Sequence, residues 1–332
     1  MSHDTLVLTR ADVQALLGLD ECLDAVAEAF RLHAEGRSLA PGVIAVPARE
    51  GGFHIKAAGL ELGRAYVAVK TNGNFPENPR RRGLPTIQGV IVLCDAEDGR
   101  PLALLDSIEV TLRRTAAATA LAARHLARRD SSTVTLCGCG QQAAAQLRAL
   151  ARVLPLRRAF ACDVDAEAAQ RYARAMQAEL GFEVVAAADL GEAVGQSDVC
   201  VTCTPSRQPI LFAHQVRPGT FVAAVGADAA HKQELDPALM AAGTIVADVL
   251  EQCAAIGDLH HALEAGAVTR SSVHAELAEL VTGRKPGRRR DDEITIFDST
   301  GTALQDVAAA AVAYEKALAS GRGLRVALGE GA

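Results

Sequence analysis

Residues 132–143, STVTLCGCGQQA, constrain the fold more than any other stretch of this chain. An apolar run rich in β-branched residues leads directly into Gly138-x-Gly140-x-x-Ala143, and an Ala- and Leu-rich helical segment follows. Strand, tight turn and helix in that order let a backbone cradle a pyrophosphate. The first glycine permits the turn, the second lets the phosphates approach, and the small third residue lets helix and strand pack closely. Gln141 and Gln142 fall between the second glycine and Ala143, where the helix begins. A second strand, 159–162, ends at Asp163, twenty positions after Ala143. An acid at that place accepts hydrogen bonds from a ribose 2′-hydroxyl and repels a 2′-phosphate. Val164 and Asp165 follow rather than an arginine, so the residues favour NAD(H) over NADP(H).

The rest of the chain punctuates itself clearly. From 132 onward, strands at 133–137, 159–162, 182–186, 198–203, 221–225 and 244–248 alternate with helical runs, which predicts a doubly wound parallel α/β sheet of Rossmann type. Before it, Asp20 is read as the cap of a helix reaching Gly36. Strand-like runs follow near 43–48, 52–58, 64–70, 86–94 and 101–105, and a helix spans 107–128 with Asp106 and Glu109 as a capping pair. At the far end, ITIFDSTG reads as strand and turn, and Thr302 with Gln305 is read as the cap of an Ala-rich helix. That helix is apolar on several faces, so it is expected to pack back on the first domain. The expectation is a discontinuous α+β domain (1–128 with 302–332) and a Rossmann domain (129–301).

Bulk properties narrow the function classes. With 332 residues there is room for two cores, and 49% hydrophobic with 22% charged residues is ordinary globular composition. A net charge of −6 and only 3% aromatic residues argue against a nucleic-acid partner. The N-terminus lacks a basic segment followed by an apolar core, and no apolar run is long enough for a membrane span, so a cytoplasmic protein is expected. Eight cysteines then read as reduced thiols. Cys200-x-x-Cys203 lies inside an apolar strand, and no second pair of Cys or His stands at zinc-finger spacing, so buried small side chains are the reading and no metal is expected. His260 and His261 read as helix-surface residues, and Arg80–Arg82 and Arg288–Arg290 as solvated loops, the first run with some scope to guide an acidic substrate.

A nicotinamide enzyme must also hold its substrate's charged group and move a proton. Lys70 ends the otherwise apolar run AYVAVK; a surface lysine is the commoner fate, but this run makes an inward one credible. Arg113 and Arg114 are adjacent on a helix, so at most one is expected to point at a given ligand. Asp228 follows the strand FVAAVGA at the carboxyl end of the sheet, where such folds bind ligands. It could cap the next helix instead, but Asp236, followed by Pro237, suits that role better.

Taken together, VKTNGNFPENP (69–79), GLPTIQGVIVL (83–93), LRRTAAATA (112–120), LCGCGQQA, VGADAAHKQELD (225–236) and TIFDSTGTALQD (295–306) resemble the ornithine cyclodeaminase/mu-crystallin family over nearly the whole chain. The resemblance implies a homodimer joined through the sheets of the first domains. It implies Lys70 and Arg114 as substrate-carboxylate ligands, with Lys70 also polarising the reacting bond, Asp228 as the acid–base residue and Thr86 as a pocket residue. Cofactor contacts are implied at Gly138, Gly140, Gln141, Gln142, Ala143, Asp163, Thr115, Thr204, Val225, Gly226 and Ser299. The chain departs from the family's cyclodeaminases where they carry another carboxylate-binding arginine and it reads Pro41-Gly42-Val43. Conversely, His54 and Lys56 share one face of a strand, and Lys56 stands where the cyclodeaminases resemble something apolar. The pair could be an exposed sheet face or a relocated anion site.

Three functions are compatible with these residues. The first is an NADH-dependent imino-acid reductase, an L-amino-acid dehydrogenase in reverse. The second is an ornithine or lysine cyclodeaminase, releasing ammonia with NAD used catalytically; the missing arginine argues against it. The third is a non-enzymatic binder like mu-crystallin, which the retention of Lys70, Arg114 and Asp228 disfavours.

Overall fold

The computed structural model describes residues 4–328. In chain order it runs β1 (Thr5–Leu8), α1 (Arg10–Leu16), α2 (Leu19–Ala34), β2 (Ser38–Ala48), β3 (Gly51–Leu62), β4 (Arg64–Asn74), α3 (Asn78–Arg82), β5 (Ile87–Asp95), β6 (Pro101–Asp106) and α4 (Ser107–Leu126). There follow β7 (Thr133–Cys137), α5 (Gln141–Leu150), β8 (Arg158–Cys162), α6 (Ala166–Leu180), β9 (Glu183–Ala186), α7 (Leu190–Gly195), β10 (Val199–Thr202), β11 (Arg207–Leu211), β12 (Phe221–Ala224) and β13 (Gln233–Leu235). The last elements are α8 (Pro237–Ala242), β14 (Thr244–Ala247), α9 (Leu250–Ile256), α10 (Asp258–Glu264), β15 (Val273–Glu276), α11 (Leu277–Val281), β16 (Thr295–Asp298), α12 (Ala303–Ser320) and β17 (Leu324–Val326).

Two compact units result, Met1–Arg114 with Thr302–Ala332, and Thr115–Gly301. The first division falls inside α4, ahead of the boundary expected at 128/129.

The first unit is a seven-stranded mixed sheet in the order β17-β1-β6-β5-β4-β3-β2. β2 through β6 form an antiparallel meander in which Lys56 lies directly opposite both Val43 and Lys70. Residues paired across a sheet point to the same face, so these three share one side. Helix α12 packs on α2, β3 and β4. Its Ala303–Ala311 segment is buried throughout, which the small alanine side chains permit on every side. On α2, Cys22, Leu23, Val26, Ala29 and Phe30 form the buried stripe.

The second unit is an eight-stranded, wholly parallel sheet in the order β15-β14-β16-β12-β10-β7-β8-β9. From β7 the chain winds through β8 to β9 on one side, then returns to β10 on the other. The carboxyl ends of β7 and β10 therefore flank a switch point, the place where open α/β sheets bind ligands. Among the described residues no helix is long and apolar enough to cross a membrane.

One helix start differs from the sequence reading, and two others keep the expected cap residue but not its expected partner. Gly18, not Asp20, is the cap of α2, because the Glu21 carboxylate accepts from the Gly18 amide and draws the start two residues forward. Asp106 caps α4 by accepting from the Ile108 and Glu109 amides, whereas the Glu109 carboxylate turns to Arg113. Thr302 caps α12 alone, through the Leu304 amide. Gln305 is not part of that cap, because its carbonyl oxygen accepts from Arg114 instead.

Candidate active site

The glycine turn has the backbone shape that a phosphate cradle requires. Gly138 adopts φ +88°, and a Cβ there would stand 3.0 Å from Thr204 Cγ2. Gly140 is exposed and caps the ten-residue α5, with nothing within 4 Å of where its Cβ would be. A side chain there would fill space that the helix N-terminus offers to an anion. Ala143 is buried, and its carbonyl accepts from the Tyr172 hydroxyl at 3.0 Å. Gln141 is exposed at the helix start, and the Gln142 amide nitrogen is buried without a hydrogen-bond partner among the described residues. The Asp163 carboxylate is fixed beside the turn, accepting from the Cys139 amide at 2.7 Å and the Asp165 amide at 2.9 Å. A fixed acid, an open glycine and a free helix start suit a dinucleotide with an unphosphorylated ribose.

A second centre lies in the first unit. Lys70 on β4 and Arg114 on α4 converge on Asp306 of α12, with Lys70 Nζ 2.7 Å from Oδ2 and Arg114 Nε 2.9 Å from Oδ1. All three are buried, at 3%, 4% and 0% exposure. Arg114 Nη1 also donates to Gln305 Oε1 at 2.7 Å, leaving the buried Gln305 Nε2 without a hydrogen-bond partner. Lys56 is buried opposite Lys70, and His54, two residues away on the same strand, is half-buried and faces Asn72. Burial pushes the Lys70 ammonium down to about 7, and the Arg114 charge adds to that. Burial works to raise Asp306, but Lys70 and Arg114 outweigh it and hold the carboxyl below its ordinary value. Arg113 turns away, to Glu109 and the Leu17 carbonyl.

A third group surrounds the carboxyl ends of β10, β12 and β16 in the second unit. Asp228 pairs with Lys232 at 2.6 Å, and Asp236 rather than Asp228 caps α8 through the Ala238 amide. The Thr204 hydroxyl and amide both donate to the buried Glu234, at 2.8 and 2.6 Å. The Val225 amide donates to Thr202 across the sheet, and the Gly226 amide donates to Glu234. The buried Ser299 turns its hydroxyl to Asp248, which also accepts from the Gly301 amide. Thr115 is buried on α4 and Thr86 half-buried ahead of β5, its carbonyl accepting from the Phe75 amide.

Outside these groups, all eight cysteines are free, and Cys200 lies in β10 with its sulfur 3.9 Å from that of Cys137. Arg80, Arg81 and Arg82 pair with Glu77 and Glu50. Arg288, expected on a solvated loop, instead reaches inward to the carbonyls of Leu126 and Glu293, because the last carbonyl of α4 and the one ahead of β16 need a donor. His261 is half-buried and bonded to the Lys232 carbonyl.

Sequence reading missed Asp306, Gln305 and the four buried acids Glu234, Asp248, Asp258 and Asp298. A signal for Asp306 was present: a lone acid inside ALQDVAAAAVA must find a cation if that helix is buried all round.

A parallel sheet with a glycine turn and a fixed acid at its switch point defines a dinucleotide-fold protein, here joined to a unit carrying a buried cation pair. The chain belongs to the ornithine cyclodeaminase/mu-crystallin family, whose model matches residues 3–321. It is 40% identical to an alanine dehydrogenase of Archaeoglobus fulgidus, over 97% of this chain and 98% of that protein. Among solved structures it is similar to an archaeal alanine dehydrogenase dimer with bound NAD (40% identity, TM-score 0.93, 98% and 99% of the two chains). It is also similar to the Δ1-pyrroline-2-carboxylate reductase of Thermococcus litoralis in complex with NADH and L-proline (33% identity, TM-score 0.93, 97% and 100% covered).

Proposed function

We propose that this chain is an NADH-dependent reductase of small 2-imino acids, working in reverse as an L-amino-acid dehydrogenase. The observation that carries the reading is the buried Lys70–Asp306–Arg114 cluster in a chain whose other unit holds the Gly138–Gly140 turn and Asp163. Bound NADH supplies a hydride. The chain holds it with the α5 N-terminus, with Gly138, Gly140, Gln141, Gln142 and Ala143 at the pyrophosphate and Asp163 at the ribose. Thr115, Thr204, Val225, Gly226 and Ser299 complete the lining. Ser299 and Thr204 contribute backbone carbonyls, since their hydroxyls and amides are committed within the chain.

Lys70 and Arg114 hold the substrate carboxylate, and Lys70 polarises the C=N bond. As the imine carbon gains a hydride, its π electrons move to nitrogen, and Asp228, with Lys232 on one oxygen, delivers the proton that nitrogen takes up. Orientation of this kind is a large part of what such enzymes contribute. Lys56, with His54 on the same sheet face, extends the cationic face beside Lys70, and Thr86 lines the pocket. The register supports that role for Lys56: it is the cross-strand neighbour of Val43, in the segment where the expected arginine is missing.

The working form is a homodimer. The supporting observation is the sheet face of the first unit, where Ile44, Val46, Phe53 and Val90 are exposed together. Eight free thiols suit a reducing cytoplasm.

The test is NADH oxidation with pyruvate and other 2-oxo acids, with and without ammonia or methylamine, alongside cyclic imines. Stoichiometric NADH loss with at least one imine is expected. Ammonia release from ornithine or lysine with no net change in NADH would instead make the chain a cyclodeaminase, and no turnover with bound NADH would make it a binder.

A further inference from the structure

Glu234 is fully buried on β13, yet it gathers four donors onto one carboxylate. Oε2 accepts from Thr202 Oγ1 at 2.7 Å and the Gly226 amide at 2.9 Å, and Oε1 from the Thr204 amide at 2.6 Å and Thr204 Oγ1 at 2.8 Å. Those donors stand at or just beyond the carboxyl ends of β10 and β12: Thr202 ends β10, Thr204 lies behind the glycine turn and Gly226 two residues before Asp228. The approach is so close that a Cβ on Gly226 would lie 2.5 Å from Glu234 Oε1 and 2.5 Å from the Thr204 carbonyl.

The support behind Glu234 is of the same kind. Asp258 Oδ1 accepts from the Glu234 and Leu235 amides, both at 2.8 Å, and Asp298 accepts from the Asp258 and Leu259 amides. Each buried acid thus grips the backbone of the next, from β16 through α10 to β13 and on to the ends of β10 and β12.

We propose that Glu234 is a positioning residue for NADH binding and for the aim of Asp228, acting as an ionised carboxylate that clamps the backbone at Thr204 and Gly226. This deepens the dinucleotide reading above and rests on it. Four convergent donors, two of them backbone amides that cannot reverse, require an acceptor-only group. A glutamine there must turn its NH2 against one amide or the other, and one loop then moves.

The titratable groups facing Glu234 are Asp258 and Cys203. Burial, with the Asp258 charge, lifts Glu234 to about 7 despite its hydrogen bonds. Burial also lifts Asp258, to about 6, and keeps the Cys203 thiol neutral. The clamp therefore loosens on acidification.

The experiment measures NADH dissociation constants by fluorescence titration of the full chain from pH 6 to 8.5, with thermal melts of every variant. Wild type is expected to bind tightly at pH 8 and to weaken several-fold toward pH 6. Glu234→Gln is expected to bind at least tenfold more weakly at pH 8, with little remaining pH dependence. Thr202→Val, a near-isosteric change inside β10, removes one donor from the carboxylate and is expected to move the acid limb to higher pH. It tests the clamp even where Glu234→Gln fails to fold. A merely structural role would lower the melting temperature without flattening or displacing that limb. Wild-type affinity and pH profile retained in Glu234→Gln, or an unmoved limb in Thr202→Val, overturns the proposal while leaving the reductase reading intact. A wild type that does not bind NADH overturns both.

Discussion

The proposed role of Lys70 as carboxylate anchor makes substrate binding depend on pH in a direction that can be worked out. A lysine in water titrates near 10.4. Here burial, reinforced by the Arg114 charge, brings the ammonium down to about 7 in the ligand-free chain. Anchoring a carboxylate needs the charged form. At pH 8 roughly one molecule in ten carries it and at pH 9 about one in a hundred, so affinity for a carboxylate should be flat below pH 7 and fall about tenfold per unit above it. A bound anion favours the ammonium, so binding at pH 8 should take up about 0.9 of a proton. Oxalate is a suitable probe, because both its carboxylates stay ionised throughout. Calorimetry with the NADH-loaded chain, in buffers of different ionisation enthalpy, reads affinity and proton uptake together. The same shift acts on folding. Between pH 7 and about 10.5 the unfolded chain holds a proton that folded Lys70 lacks, so stability from this group rises with pH across that window. Oxalate affinity constant from pH 6 to 9 with no proton uptake would refute the assignment of Lys70 as the carboxylate anchor.

Two further outcomes follow from the same cluster. Asp306→Asn leaves Lys70 and Arg114 buried without their shared anion, which should cost about 3–5 kcal/mol and lower the melting temperature by roughly 10 °C, part of it recovered by saturating oxalate; a melt within roughly 2 °C of wild type would show that the pair contributes little. Lys56→Met keeps the side chain's bulk and removes its charge, so KM for the carboxylate substrate should rise about tenfold with kcat changing less. Steady-state kinetics that leave both parameters unchanged would remove Lys56 from the site.

The second unit was legible in the sequence because its rules are local. A parallel strand buried on both faces is a short apolar run, and the glycine turn announces its own backbone needs, so the strands at 133–137, 159–162, 221–225 and 244–248 fall within a residue or so of their observed places. The helix starts were less legible, since Gly18 and Asp20 compete within one turn and a distant or nearby partner decides. Gln305 is the clearest instance: its spacing from Thr302 matches a capping box, but Arg114, 191 positions earlier, takes its oxygen. The buried acids share that difficulty. What makes Glu234 and Asp258 tolerable in the interior is a set of amides brought by other strands, and no spacing along the chain encodes them.

Charge accounting in the first unit says why Asp306 is buried at all. Lys70 and Arg114 alone would place two positive charges in a dry interior, where each disfavours the other. Asp306 cancels one and fixes both by geometry, with one oxygen to each cation. Lys70, Arg114 and Asp306 are then left with about one unit of positive charge, with Lys56 buried beside them, and the proposed substrate brings one α-carboxylate. Part of that unit is adjustable, since Lys70 sits near 7 even beside Asp306 and is about half protonated at neutral pH. The ligand-free interior thereby carries less net charge, and the proposed carboxylate binding would bring the proton back. A second acid in place of Gln305 would cancel the charge that Lys70 and Arg114 retain beyond Asp306, whereas the neutral amide holds Arg114 in place and leaves that charge available to the proposed carboxylate.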